Sequence, residues 1–194
     1  MNLIACFVIS TQQEQLLDIL QQYSGFETIV NDAPIQAAVC EVLADIDADP
    51  TLYVVNGGKD RILIEVNSYK KLHDLARQVS SDLQTVFFQV CYNDLVGYAY
   101  FLLYDQGELV REIESRGSKK DPDVNYGFPL TFEEDGEVTF FDLDMIAEFC
   151  EHLGVDVGNL YEDPTCTVLQ GATSRPMVRL DQDKQLSLLF YPLG

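Results

Sequence analysis

The sequence predicts an α+β protein: mainly antiparallel sheet, a central hairpin and about four packed helices. Three observations carry this. Short β-rich apolar runs are joined by connections too short for parallel crossovers. Amphipathic stretches at helical spacing lie apart from those runs. And Val96–Ser115, VGYAYFLLYDQGELVREIES, places two β-rich runs around Asp105-Gln106-Gly107-Glu108, where Gly107 can take the positive φ of a tight reversal. The hairpin is expected over 96–115. Alternation puts Tyr98, Tyr100, Leu102 and Tyr104 on one strand face and Ala99, Phe101 and Leu103 on the other. Both faces are apolar enough for core, so the tyrosines read as packing and not as a stacking platform for bases.

In chain order, Asn2–Ile9 reads as a buried strand. Thr11-Gln-Gln-Glu14 has the form of a capping box, and Leu16, Leu17, Leu20 and Tyr23 follow at helical spacing up to Gly25. This predicts a helix near 12–23. Phe26–Val30 reads as a short strand. Pro34 suits a first helical position, and Ile35, Ala38, Val39, Val42 and Ile46 make one apolar face, predicting a helix near 35–47.

Leu52–Val55 and Arg61–Val66 flank Asn56-Gly57-Gly58-Lys59-Asp60, a hairpin signal. Ser68 can cap a helix near 69–83, with Leu72, Leu75, Ala76, Val79 and Leu83 facing the core. TVFFQVC, residues 85–91, reads as a strand feeding the central hairpin. The polar stretch 116–123 is the best loop. Asp135-Gly136 suits a turn, and Asp142 can cap a helix near 143–153 that stops at Gly154. The tail 177–191 holds two strand-like runs. Residues 1–194 read as one α+β domain, with 1–94 and 95–194 as possible lobes.

Charge is the outlier. Twelve Lys and Arg against thirty-two Asp and Glu give −20 and a pI near 4.1. Such a field repels nucleic acid and anionic membranes and attracts basic partners. It also serves plain solubility. Between Asp121 and Ser174 there is no Lys or Arg, while thirteen acids occur. Solvated faces usually interleave both signs, because like charges at i,i+4 cost a few tenths of a kcal/mol each. Glu133, Glu134, Asp135, Glu137, Asp142, Asp144, Glu148 and Glu151 are therefore the candidate partner-binding residues.

Catalytic patterns are missing. No calcium loop frames 133–137, His73 and His152 lack ligand spacing for zinc, and no nucleophile elbow, phosphate loop or dinucleotide fingerprint occurs. Cys150 and His152, two apart on one helix, point to different sides. No catalytic residue, metal or cofactor is assigned, and an enzyme is not expected. Cysteines 6, 40, 91, 150 and 166 form no CxxC pair and are expected as free thiols in a cytoplasmic protein. No apolar run approaches the roughly 18 residues of a membrane span.

Three segments share a family pattern: Tyr104-Asp-Gln-Gly-Glu-Leu-Val-Arg111, then Tyr126-Gly-Phe-Pro-Leu-Thr-Phe-Glu133, then Glu148-Phe-Cys-Glu-His-Leu-Gly-Val-Asp156. Over about residues 98–157 the chain resembles small, mostly uncharacterised bacterial cytoplasmic proteins, some of them immunity proteins of polymorphic toxin systems. The shared motifs are a turn, a loop and a helix stop, so the resemblance transfers no site residue. It implies an immunity-type inhibitor, and the acidity then implies a cationic toxin, possible nuclease targets included. The alternatives are an acidic adaptor with another partner or an enzyme of unfamiliar type.

Overall fold

The computed structural model describes residues 2–34, 42–43, 45, 47–117, 121–133, 141–161 and 163–171. Among these, nine strands and three helices occur: β1 (Asn2–Val8), α1 (Gln13–Ser24), β2 (Phe26–Pro34), β3 (Leu52–Gly57), β4 (Ile62–Val66), α2 (His73–Asp82), β5 (Val86–Asn93), β6 (Tyr98–Asp105), β7 (Glu108–Arg116), β8 (Val124–Gly127), α3 (Leu143–His152) and β9 (Thr165–Gly171). The strands make one sheet of order β2-β9-β3-β4-β1-β5-β6-β7-β8, and every pairing is antiparallel. The sheet runs unbroken across residue 95, because β5 and β6 pair along their whole lengths. β9, last in the described chain, inserts between β2 and β3.

The expected central hairpin is β6–β7. Gln106 and Gly107 take φ of 48° and 91°, the two positive values of a type I′ turn. Its tip is tied to the end of α2: the Gly107 amide donates to the Ser80 hydroxyl at 3.0 Å. Every residue from Tyr98 to Tyr104 is buried, as a strand must be when both sheet faces are covered. Tyr98, Tyr100, Leu102 and Tyr104 pack with α1 and α2. Ala99, Phe101 and Leu103 pack with α3, where Phe149 stands edge-on to Phe101, Phe132 and Phe141.

Several local expectations are corrected. The Thr11 capping box does not form: α1 starts at Gln13 without a side-chain cap, and Ser10 instead accepts from the Gln12 amide at 3.0 Å. α2 starts at His73, not at 69, because Ser68 is engaged by the Ala48 carbonyl and the Lys70 amide. The cap comes from another strand. Gln89 of β5 accepts from the Leu72 amide at 2.9 Å and donates to the Lys70 carbonyl at 3.0 Å. Pro34 is not a helix start, since β2 extends through it. The predicted helix 35–47 falls mostly outside the described residues, as do the turn at Asp135-Gly136 and the tail runs.

Asp142 does cap α3, accepting from the amides of Asp144 and Met145 at 3.0 and 3.1 Å. Cys6, Cys91, Cys150 and Cys166 are free and buried, and Cys40 lies outside the described residues.

Candidate functional site

β7 reads ELVREIESR, and its alternation separates two charged stations on opposite faces of the sheet. Arg111 points to the α3 side and is fully buried. Its guanidinium grips Glu133 through two bonds, Nε to Oε1 at 2.8 Å and Nη2 to Oε2 at 2.6 Å. Nη1 donates to Asn125 Oδ1 at 2.6 Å and to the Tyr126 carbonyl at 2.9 Å. Glu133 Oε1 also takes the Leu130 amide at 2.8 Å. A planar five-donor fork suits this work, because each bond ties a different piece of chain to one fixed plane. Arg111 thereby pins β8 and the returning segment 128–133 to the sheet.

This corrects the partner-binding set at one position. The Glu133 side chain is 2% exposed and committed to Arg111, so it offers nothing to another protein. Glu134, Asp135 and Glu137 lie outside the described residues.

The opposite face of β7 carries Glu112, Glu114 and Arg116. Lys71, just before α2, bonds both Glu112 and Glu114, the latter at 2.5 Å, and Arg116 Nε bonds Glu114 at 2.5 Å. His73 stands 3.7 Å from Glu112 through Nε2 and 3.1 Å from the Tyr104 hydroxyl through Nδ1. Burial pushes the Glu114 carboxyl up, but the bonds and charges of Lys71 and Arg116 outweigh it and hold it below the ordinary range. Burial lowers the His73 imidazole, against the pull of Glu112. Two carboxylates this close could suggest acid–base chemistry. Here each faces a cation, so the network neutralises itself and fastens α2 to the outer sheet.

The remaining acids converge on α3. Ile146, Phe149 and Cys150 face the core, which leaves Asp144, Glu148 and Glu151 exposed at i, i+4 and i+7 on one outward stripe. Asp142 starts this helix and its carboxylate is used as the cap. Among the described residues, ion pairs join Lys70 to Asp49, Lys71 to Glu112 and Glu114, Arg77 to Asp74, Arg111 to Glu133, and Arg116 to Glu114. No ion pair among the described residues reaches Asp144, Glu148 or Glu151.

The thiols are poorly placed for nucleophilic work. Burial pushes Cys6 and Cys91 far up, Cys150 up to about 12 and Cys166 up to about 11. His152, two residues from Cys150, lies flat on Phe132 with ring centroids 4.3 Å apart. Among the described residues no group of three or more His, Cys, Asp or Glu is placed to hold a metal ion. No helix among them is long and apolar enough to cross a membrane.

Comparison with family models, curated proteins and solved structures finds no match to this chain. The site is therefore read from its own chemistry. The acids of α3 were visible in the sequence as a run without counter-charge. The Arg111 and Lys71 stations were not singled out, although charged residues at successive positions inside a β-rich run are an available signal: one face or the other must bury them.

Proposed function

We propose that this protein binds a cationic surface on another protein, in the manner of an immunity-type inhibitor covering a basic toxin. One observation carries the reading: the outward carboxylate stripe of α3, which no ion pair among the described residues reaches. A helix that holds like charges at i,i+4 accepts a few tenths of a kcal/mol per pair. A cationic partner removes that cost and is drawn in by the long-range field of a −20 chain. The resemblance over about residues 98–157 supports a toxin as the partner, and acids that occupy a phosphate-binding groove suit a nuclease.

The test uses a cationic, toxin-like nuclease domain as the probe. Association is followed by stopped flow across salt, from about 50 mM to about 500 mM, where the Debye length shrinks from roughly 14 to 4 Å. The on-rate should fall steeply with salt, and Asp144→Lys with Glu148→Lys should slow it at least about tenfold with little change in off-rate. An on-rate indifferent to salt and to the reversals would remove α3 from the interface. Stable capture of a cellular non-toxin protein through the same stripe would move the reading to an adaptor.

A further inference from the structure

The two edges of the sheet are finished differently. At the β2 edge, pairing with β9 shifts register twice, between Thr28 and Val30 and between Val30 and Ala33. Asp32 there takes φ of 52°, and the strand ends in Pro34. Bulges and a terminal proline are devices that prevent edge-to-edge pairing. The β8 strand itself carries neither, although Gly127 at its end takes φ of 91° and Pro122 and Pro129 flank it. Its four residues keep continuous register with β7, and no described strand lies beyond it.

Which backbone groups face outward follows from alternation. The Gly117 amide donates to the Gly97 carbonyl at 2.7 Å, so the odd residues of β7 bond toward β6 and the even ones, Glu112 and Glu114, toward β8. Their Cα partners are Tyr126 and Val124, and the Glu114 carbonyl also takes the Asp123 amide at 2.7 Å. Asn125 between them directs its N–H and C=O to the open side. The edge is also rimmed by apolar surface: Tyr126 is 55% and Phe128 89% exposed. It is rigid as well, because Arg111 holds both the Asn125 side chain and the Tyr126 carbonyl from beneath. A preorganised edge loses little freedom when a strand is added.

We propose that the β8 edge is a strand-addition site for an extended, lysine- or arginine-bearing segment of another protein. Main-chain bonds to Asn125 would supply affinity, and Tyr126 and Phe128 would receive the alternate side chains. A basic occupant follows from charge: exposed Asp121 precedes the strand, and the chain as a whole is −20. A second copy of this chain is disfavoured by the same charge. A four-residue edge also buries far less than the roughly 1,200 Å² that a stable dimer needs. The inference rests on the cationic-partner reading and deepens it by naming a second surface and its backbone mode.

The probe is a peptide of alternating lysine and valine, roughly six residues long, the usual strand length. Two controls accompany it: the same peptide with alternate amides N-methylated, and a glutamate–valine peptide. Amide exchange of the full-length protein is read by NMR. Support is a slowing of about tenfold or more at Asn125 with the lysine peptide, absent with the N-methylated form. The protein with Asp144→Lys, Glu148→Lys and Glu151→Lys should show the same protection, because the edge is a separate surface. Binding of the lysine peptide with unaltered exchange at Asn125, and loss of that binding in the α3 variant, would overturn the edge site and leave the charge reading standing. Equal protection by the glutamate peptide would overturn the basic occupant. No binding by any peptide would overturn the proposal, while the salt dependence with the toxin-like domain still decides the charge reading independently.

Discussion

Replacing Arg111 with methionine should be among the most damaging single changes in this protein. The guanidinium makes four bonds: two to Glu133, one to Asn125 and one to the Tyr126 carbonyl. Methionine fills much of the volume but donates nothing. Glu133 is then left as a buried carboxylate whose remaining described donor is the Leu130 amide. Removing one partner of a buried pair costs about 3–5 kcal/mol, because the other charge stays out of water. For a domain of this size about 1 kcal/mol moves Tm by roughly 2–4 °C, so a fall of about 6–20 °C is expected. The double replacement Arg111→Met with Glu133→Leu removes both charges and should recover to within about 1 kcal/mol of the parent. Glu133→Leu alone orphans the buried guanidinium instead and should cost a similar amount, about 3–5 kcal/mol.

The assay is urea unfolding by circular dichroism on the four proteins, analysed as a double-mutant cycle with the slope m held common. Amide exchange adds a local readout, since β8 should open before the rest of the sheet in Arg111→Met. A single-variant loss below about 1 kcal/mol would refute the reasoning. So would a double variant as damaged as Arg111→Met, because the loss would then come from packing and not from the orphaned charge.

Gly127→Ala meets a harder obstacle than most glycine changes: φ is 91°, and the new Cβ would sit 2.0 Å from the Val110 carbonyl oxygen. The conformation alone costs about 1–3 kcal/mol, and the contact must push β8 away, so faster exchange at Asn125 should accompany a lower Tm. Glu65 accepts the Tyr161 hydroxyl at 2.7 Å, and burial pushes its carboxyl up against that bond. A raised acid binds its proton more tightly in the folded state, so stability falls as pH rises above the unfolded value; Glu65→Gln should therefore raise Tm near pH 7 and gain nothing near pH 4. Thiol titration in denaturant without reductant should recover all five cysteines, whereas in the native protein Cys6, Cys91, Cys150 and Cys166 should react slowly, and a deficit of two in denaturant would indicate a disulfide.

Local pattern alone determined much of this protein. The hairpin over 96–115 rests on one glycine and two apolar runs, and alternation correctly placed its tyrosines on one buried face and Phe101 on the other. The Asp142 cap and the inward face of α3 were equally legible, because capping and helical spacing act within a few residues. Tertiary structure decided what each polar group was for. Ser68 has the chemistry of a cap, but Ala48 and Lys70 claim its hydroxyl, and Gln89 from a neighbouring strand closes α2 instead. Glu133 has the composition of a surface acid, yet Arg111, 22 residues earlier, draws it into the core. Sequence spacing cannot show such partners: a buried charge is tolerated only where the fold brings its counter-charge, and that meeting is made by strand order. The insertion of β9 between β2 and β3 has the same origin. Its apolar run marks a strand, but which neighbours it joins depends on edges that exist only once the sheet has formed.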